Sequence, residues 1–369
     1  MIPEENRFES DYELALAGEF ALPSGWEIGT PDPAADADVE QLTNLLRAHQ
    51  QAGKGSASAG ADDILLEISE EGVRTRENLV IRDDAGIIRA WGSVHDRAIN
   101  RMLFVHIVDH ELTGTRADHC SNILFDWADT QAREVGAARG LTTQQIDTGA
   151  FENDERQQEW LSGAGFDKVR TWWQMSRPVT AEDADLVPDP KRWSDRGVTF
   201  RLVDRESEDY DAMAIEDDLR AVHTVLEGAF EDHFNSRHES YDEFLHRVRQ
   251  EPGHRWNHWW IAEINHEDGS VEAAGALAGS QLGPDENDPD RAEGSYVDYI
   301  GVLANARGRG VAKGLLRTII ADTARRGRSK VGLEVDATSP TGADGLYTSM
   351  GWETYYITQS WHRDVKVAD

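Results

Sequence analysis

The 369-residue sequence predicts a mixed α/β protein made of two related domains, and three observations carry that reading. The first is an internal repeat. Trp160-Leu-Ser-Gly-Ala-Gly-Phe166 and the run on to Arg177 match Leu346-Tyr-Thr-Ser-Met-Gly-Trp352 and the run on to Arg363, so that Gly165 falls on Gly351, Phe166 on Trp352 and Arg177 on Arg363. Upstream, Ala128-Asp-Thr130 falls on Ala321-Asp-Thr323. The second is the alternation of period-2 and helical patterns along each half. The third is the segment 178–197, rich in Pro and Asp and without periodicity, which reads as a linker. The expected division is 1–177, a linker over 178–197, and 198–369.

The second half reads in order as a strand at 198–204, helices near 210–230 and 240–250, and strands at 257–264, 271–281 and 296–303. A helix over about 309–326, a strand at 330–336, a helix over about 341–350 and an extended end at 352–363 complete it. In the first half a hairpin spans 78–97 and turns at Asp83-Asp84-Ala85-Gly86, followed by a strand over 101–112.

Composition excludes several classes. Apolar residues make up 39% of the chain, enough for packed cores. No stretch approaches the roughly 20 apolar residues of a membrane span, and the first residues lack a signal-peptide pattern, so a cytoplasmic location without membrane contact is expected. Cys120 is the only cysteine, which excludes an internal disulfide or a cysteine-rich metal site. A formal charge of −32 repels nucleic acid and favours cationic ligands such as amines. Six of the 37 basic residues are Lys, a bias that suits either high-salt adaptation or a GC-rich genome.

Against that background residues 301–330 stand apart: Arg307, Arg309, Lys313, Arg317, Arg325, Arg326, Arg328 and Lys330 face a single acid, Asp322. A strand there ends in a glycine-rich turn that opens into a helix, an arrangement that offers backbone N–H groups to phosphate. A Walker A loop is absent. A dinucleotide fingerprint, Gly308-x-Gly310-x-x-x-Gly314 with Asp336 ending the next strand, lacks the further parallel strands such a fold needs, because only 33 residues follow Asp336.

Arg307-x-x-Gly310-x-Ala312, preceded by Ile300-Gly-Val302 and followed by Gly345-Leu-Tyr347-Thr-Ser-Met-Gly351-Trp352, resembles the two signatures of the GNAT superfamily of acetyl-CoA-dependent N-acetyltransferases. The likeness covers 198–365 directly and 25–177 through the repeat, a layout similar to tandem GNAT chains of the mycothiol synthase kind. It implies two GNAT domains, each a mixed, mostly antiparallel sheet flanked by helices. It also implies that backbone groups of Ile300, Gly301 and Val302 pair with the pantetheine arm of acetyl-CoA. The turn Arg307, Gly308, Arg309, Gly310, Val311, Ala312 and Lys313 would receive the pyrophosphate. Two positions depart from the pattern: Ala304 stands where Pro is common, and Ser339 stands where an Asn often binds the cosubstrate.

Acetyl transfer to an amine needs a group that takes the ammonium proton and one that protonates the departing thiolate. The resemblance assigns Tyr347 as general acid. The base is expected at Asp298, which precedes Ile300 and Val302 by two and four residues on what reads as one strand face, with Glu334 and Glu263 as alternates. Direct transfer in a ternary complex with a small-molecule amine is the expected activity, and a non-catalytic acyl-CoA-binding or interaction module is the alternative.

Other conspicuous residues take plainer readings. His233, His238, His254 and His258 follow no metal spacing, so no metal is expected. Trp256, Trp259 and Trp260 read as core or cleft wall, and Cys120 as a helix core residue. A gapless alignment of 108–137 with 301–330 sets Arg307, Gly308 and Gly310 against Gly114, Thr115 and Ala117, and the match of Gly165 with Gly351 sets Tyr347 against Leu161. Over 108–137, Arg116 and Arg133 oppose Asp109, Glu111, Asp118, Asp126, Asp129 and Glu134, so the first domain is expected to be degenerate and non-catalytic. The oligomeric state is not legible.

Overall fold

The computed structural model describes residues 22–98, 100–188, 190–203, 214–231, 238–250, 254–282, 294–338 and 342–367. Two compact units emerge, and only one of them is contiguous in sequence. One holds residues 1–172 with 356–369, the other 173–355.

The first unit opens with a short strand, β1 (Glu27–Gly29), and two helices, α1 (Asp36–Lys54) and α2 (Ala61–Ile68). Next come β2 (Arg76–Arg82), β3 (Ile88–Ala98), β4 (Arg101–Val108), the long α3 (Thr115–Ala138), β5 (Thr143–Phe151) and α4 (Glu155–Gly163). Pairing is antiparallel along β1-β2-β3-β4 and parallel between β4 and β5. The β2–β3 turn forms as expected: Gly86 N–H donates to the Asp83 carbonyl at 2.9 Å, and Ala85 N–H to the Asp83 carboxylate at 3.0 Å. Period-2 alternation sorts the faces. Leu79 and Ile81 pack with α3 residues such as Leu124 and Trp127, whereas Val80 and Trp91 join Leu42, Ile64 and Ile68 on the α1/α2 face.

The second unit holds α5 (Pro190–Ser194), β7 (Val198–Leu202), α6 (Glu216–Phe230), α7 (Tyr241–Gln250), β8 (His254–Asn265), β9 (Val271–Leu282) and β10 (Gly294–Val302). α8 (Val311–Arg325), β11 (Lys330–Asp336) and α9 (Ala343–Ser349) follow. The strand order is β11-β10-β9-β8-β7, parallel only between β10 and β11. Leu277, Leu315 and Ile319 form the core under α8, and Ala276, Ala278, Val222 and Phe244 the core under α6 and α7. Each unit is thus a mixed, mostly antiparallel sheet with helices on both faces.

Both units complete their sheets with a strand from the other half of the chain. β12 (Glu353–Lys366) runs antiparallel to β5, with Thr358 opposite Phe151 and Lys366 opposite Thr143. β6 (Asp167–Pro178), from Trp173 onward, lies beside β11. The repeat explains how each added strand is held. Arg177 Nε donates to the Met350 carbonyl at 2.8 Å, just before Gly351, and Arg363 donates to the Ala164 carbonyl, just before Gly165. Gly165 and Gly351 have φ of +81° and +89°, the left-handed turn that glycine ends a helix with.

The expected boundaries therefore change. Periodicity does not reveal which half a final strand will pair with, and the segment 178–197 is not a free linker: Val179 and Trp193 are buried against the α8 core, and a 3₁₀ turn at Ala181–Leu186 precedes α5. The gapless alignment changes too. α3 spans 24 residues and α8 spans 15, so the two copies drift out of register between the end of the strand and the end of the helix. No helix among the described residues is long and apolar enough to cross a membrane.

Candidate active site

The site of the second unit begins where β10 and β11 part. Their parallel ladder covers only Gly294–Val297 against Lys330–Leu333, although both strands continue. At the same point β10 takes a bulge against β9: Val297 faces Gly279, Tyr299 faces Ala278, and Asp298 is the extra residue. The bulge turns β10 away and, among the described residues, leaves the β11-facing backbone edge of residues 300–302 without a ladder partner, while β9 still pairs the other edge through Val302. An extended ligand arm is what such an edge accepts.

The bulge also changes which side chains share a face. Ile300 and Val302 pack toward α8, whereas Tyr299 packs with the α6/α7 core and Gly301 sits so close to α6 that an added Cβ would meet Ala229 Cβ at 2.8 Å. Asp298, exposed, accepts from Ser280 Oγ at 2.9 Å on the α6/α7 face. Asp298 therefore does not share a face with Ile300 and Val302 as strict alternation predicts; the extra residue inverts the phase.

Beyond β10, a 3₁₀ turn at Ala304–Ala306 leads into Arg307, Gly308 and Arg309, all exposed. Gly308 and Gly310 have φ of +77° and +84°, conformations that bring consecutive N–H groups to one side. Gly310 is the N-cap of α8 and offers no side-chain acceptor, so the first-turn amides of Val311, Ala312 and Lys313 are left for an outside acceptor, with the helix dipole behind them. The turn is braced from below. Trp193 of α5 lies under Gly310, and Arg196, beside the Trp193 ring, donates to the Arg309 carbonyl at 3.2 Å.

The basic run proves to be two groups. Arg307, Arg309 and Lys313 surround the start of α8. Arg325, Arg326, Arg328 and Lys330 lie at or past its far end, roughly 22 Å away for 15 residues, and Arg317 stands on the helix between the two groups. Arg326 there pairs with Asp322 at 2.6 Å, and Arg328 is buried against His258 and Ser295. Only the first group can serve a ligand at the turn.

Tyr347, on α9, lies in the α8-side core with Val335, Trp352, Ile300 and Val302. Burial raises its phenol to about 12, so it is protonated at neutral pH. Among the described residues its hydroxyl has no hydrogen-bond partner. The repeat counterpart keeps the backbone and loses the hydroxyl: Trp352 N–H donates to the Tyr347 carbonyl at 3.1 Å, and Phe166 N–H to the Leu161 carbonyl at 3.0 Å.

Glu334 stands on β11 one residue past the end of the ladder. It is open to solvent on one side and walled by protein on the others, and the lost hydration raises its carboxyl pKa. Gln174 of β6 donates to it and accepts from Tyr296 Oη at 3.4 Å. Glu263 is engaged elsewhere, in an ion pair with Arg201 at 2.7 Å. Gln174 could not be found by sequence reasoning, because it reaches this unit only through the exchanged strand. Ser339 and His233 lie outside the described residues. His238 pairs with Glu227, while His254 packs edge-on to Trp256 and His258 is buried beside Asn257. Trp256 and Trp259 fill the α6/α7 core and Trp260 the α8 core.

The first unit has the same split and a different filling. The β4–β5 ladder stops at Phe104 and Thr148, yet β4 continues to Val108. Its carbonyls there are taken by the unit's own side chains: Phe104 by Thr148 Oγ1 at 2.7 Å, His106 by Gln157 Nε2 at 2.9 Å and Val108 by Arg156 Nη2 at 2.9 Å. Cys120 is fully buried on α3, and its thiol is pushed up to about 12.

A sequence model described as "Acetyltransferase (GNAT) family" matches residues 219–352. Among curated proteins no sequence relative is found. Solved structures resemble the whole chain. A GCN5-related N-acetyltransferase from Sphaerobacter thermophilus superposes with a TM-score of 0.70 at 20% identity, over 94% of this chain and 97% of that one. A tandem GNAT protein from the clavulanic acid biosynthesis pathway gives 0.64 at 14% identity, over 93% and 100%. The GCN5-related glucosamine N-acetyltransferase region of a fungal multi-domain GH3 β-N-acetylglucosaminidase gives 0.65 at 17% identity, over 93% of this chain and 38% of that one. The split strands and the uncapped glycine turn fall inside the matched segment, so residues 219–352 resemble the GNAT acetyltransferase family, and the chain has the fold seen in a tandem GNAT protein.

Proposed function

We propose that the second unit transfers an acetyl group from acetyl-CoA directly to the primary amine of a small-molecule acceptor. The observation that carries this reading is the unpaired edge of β10 running straight into the uncapped, positively charged turn, so that one continuous surface suits an amide-bearing arm and then a pyrophosphate. Ile300, Gly301 and Val302 hold the arm. Gly308, Gly310, Val311 and Ala312 offer N–H groups to the pyrophosphate, and Arg307, Arg309 and Lys313 offer charge.

Asp298 and Glu334 flank the split, and both draw a cationic amine toward it. Glu334 takes the ammonium proton, since a carboxyl with a raised pKa is the better base. The free amine nitrogen then bonds to the thioester carbon, the C–S bond breaks, and Tyr347 gives its phenolic proton to the departing sulfur. The nitrogen loses its second proton to solvent as the amide forms, and a proton taken up from solvent restores the phenol. The first unit takes no part in this chemistry: its β4 carbonyls are occupied, and Asp109, Glu111 and Asp118 stand where a phosphate would need cations.

Calorimetric titration with acetyl-CoA is expected to give one site per chain, weakened roughly 10-fold or more by Arg307→Ala with Arg309→Ala and further by added salt. Tyr347→Phe should bind normally and turn over slowly with an amine panel. Two sites of similar affinity would refute the division of labour, and binding without acetylation of any amine would favour a non-catalytic acyl-CoA module.

A further inference from the structure

We propose that the closed split of the first unit is a transition-metal site, where His49 Nδ1, His110 Nε2 and Asp154 Oδ2 bind a zinc-class divalent cation with a fourth position left to solvent or a small ligand. The three residues come from α1, from the turn after β4 and from the N-cap of α4, and each offers one donor atom within 4.8 Å of the others. Asp154 Oδ2 lies 3.9 Å from His49 Nδ1 and 3.6 Å from His110 Nε2. Those separations are too long for hydrogen bonds and close to what coordination requires, since ligands at about 2.1 Å in a tetrahedron stand roughly 3.4 Å apart. Between the carboxylate and each imidazole, a contraction of a few tenths of an ångström reaches that spacing.

The surroundings point the same way. His110 Nε2 is shut off from solvent and has no hydrogen-bond partner, an orphaned polar atom aimed at the carboxylate. Asp154 is held in place because its other oxygen accepts the Gln157 N–H at 3.0 Å and caps α4. His49 is fixed against the Phe151 ring, 5.2 Å between centroids. Arg156 is the opposing charge. Its guanidinium is engaged by the backbone, donating to the carbonyls of Val108, Asp109 and Leu112, and lies over the Trp160 ring. Two imidazoles and one carboxylate with an open fourth position match zinc better than magnesium or calcium.

The test uses full-length, tag-free protein stripped with a chelator, then titrated calorimetrically with Zn²⁺ and examined by absorption spectroscopy with Co²⁺. One Zn²⁺ per chain is expected, with a Co²⁺ visible spectrum of four- or five-coordinate form. His110→Phe, which preserves ring volume, and His49→Ala should each weaken binding by more than the about 10–100-fold typical of outer-shell changes. Both should leave the circular dichroism spectrum and the acetyl-transfer rate of the second unit unchanged. No Zn²⁺ binding by the wild-type chain, or equal binding by the wild type and both variants, overturns the proposal.

Discussion

Glu334 and Tyr347 need opposite protonation states, and their surroundings supply them. Tyr347 keeps its proton to about pH 12 because burial penalises the phenolate. Glu334 has two opposed influences, with desolvation raising its pKa and the Gln174 amide lowering it. In the proposed reaction only the carboxylate is active, so kcat/KM falls as pH drops through the Glu334 pKa. Gln174→Leu removes the influence that favours the carboxylate, and the acid limb of the pH profile should move to higher pH. Glu334→Gln should remove that limb and cost about 10²–10⁴ in kcat, the usual worth of a positioned base. An unmoved limb in Gln174→Leu together with a normal limb in Glu334→Gln would pass the role to Asp298, where Asp298→Asn would then reshape the profile.

At the scale of elements, the strand–turn–helix of β10 and α8 was legible because its chemistry is local. Glycines at 308 and 310, cations at 307, 309 and 313, and a helical pattern after them can be read directly from the chain. The α9 tyrosine and the turn at Gly351 were legible for the same reason. What escaped was set by partners. A bulge depends on the neighbouring strand, so Asp298 was placed on the wrong face; Gln174 depends on strand exchange; His49, His110 and Asp154 meet only after three elements pack. The turn itself makes a sharp prediction. At Gly310 an added Cβ would have φ of +84° and stand 2.9 Å from the Trp193 ring, whereas at Gly308, with φ of +77°, it would meet nothing within 4 Å. Gly308→Ala should cost only the left-handed conformation, about 1–2 kcal/mol. Gly310→Ala should cost clearly more in thermal unfolding and should also weaken acetyl-CoA binding, since Trp193 braces the phosphate turn. Equal destabilisation by the two would show that the α5 brace yields freely.

For the whole molecule the exchange of β6 and β12 decides how the chain can be divided. Cutting at the apparent linker, to give residues 198–369, removes from the second unit the buried Met175, the Arg177 contact to Met350 and the Gln174 contact to Glu334. The same cut leaves β12 attached with Trp361 and Val365, which belong to the core of the first unit, and it uncovers the edge of β11 that β6 covers. A fragment of residues 173–355 keeps all six strands of the second unit and carries no orphan. That fragment is expected to unfold cooperatively and to retain acetyl-CoA binding within about 10-fold of the full chain. Residues 198–369 are expected to aggregate or to melt without a cooperative transition, because a bare strand edge and two exposed core residues favour pairing with other copies. Circular dichroism melts, light scattering and acetyl-CoA titration of the two fragments side by side make the comparison. Were 198–369 the better-behaved of the two, the second half would have to form its sheet with its own β12, and the placement of Gln174 beside Glu334 would fall with it.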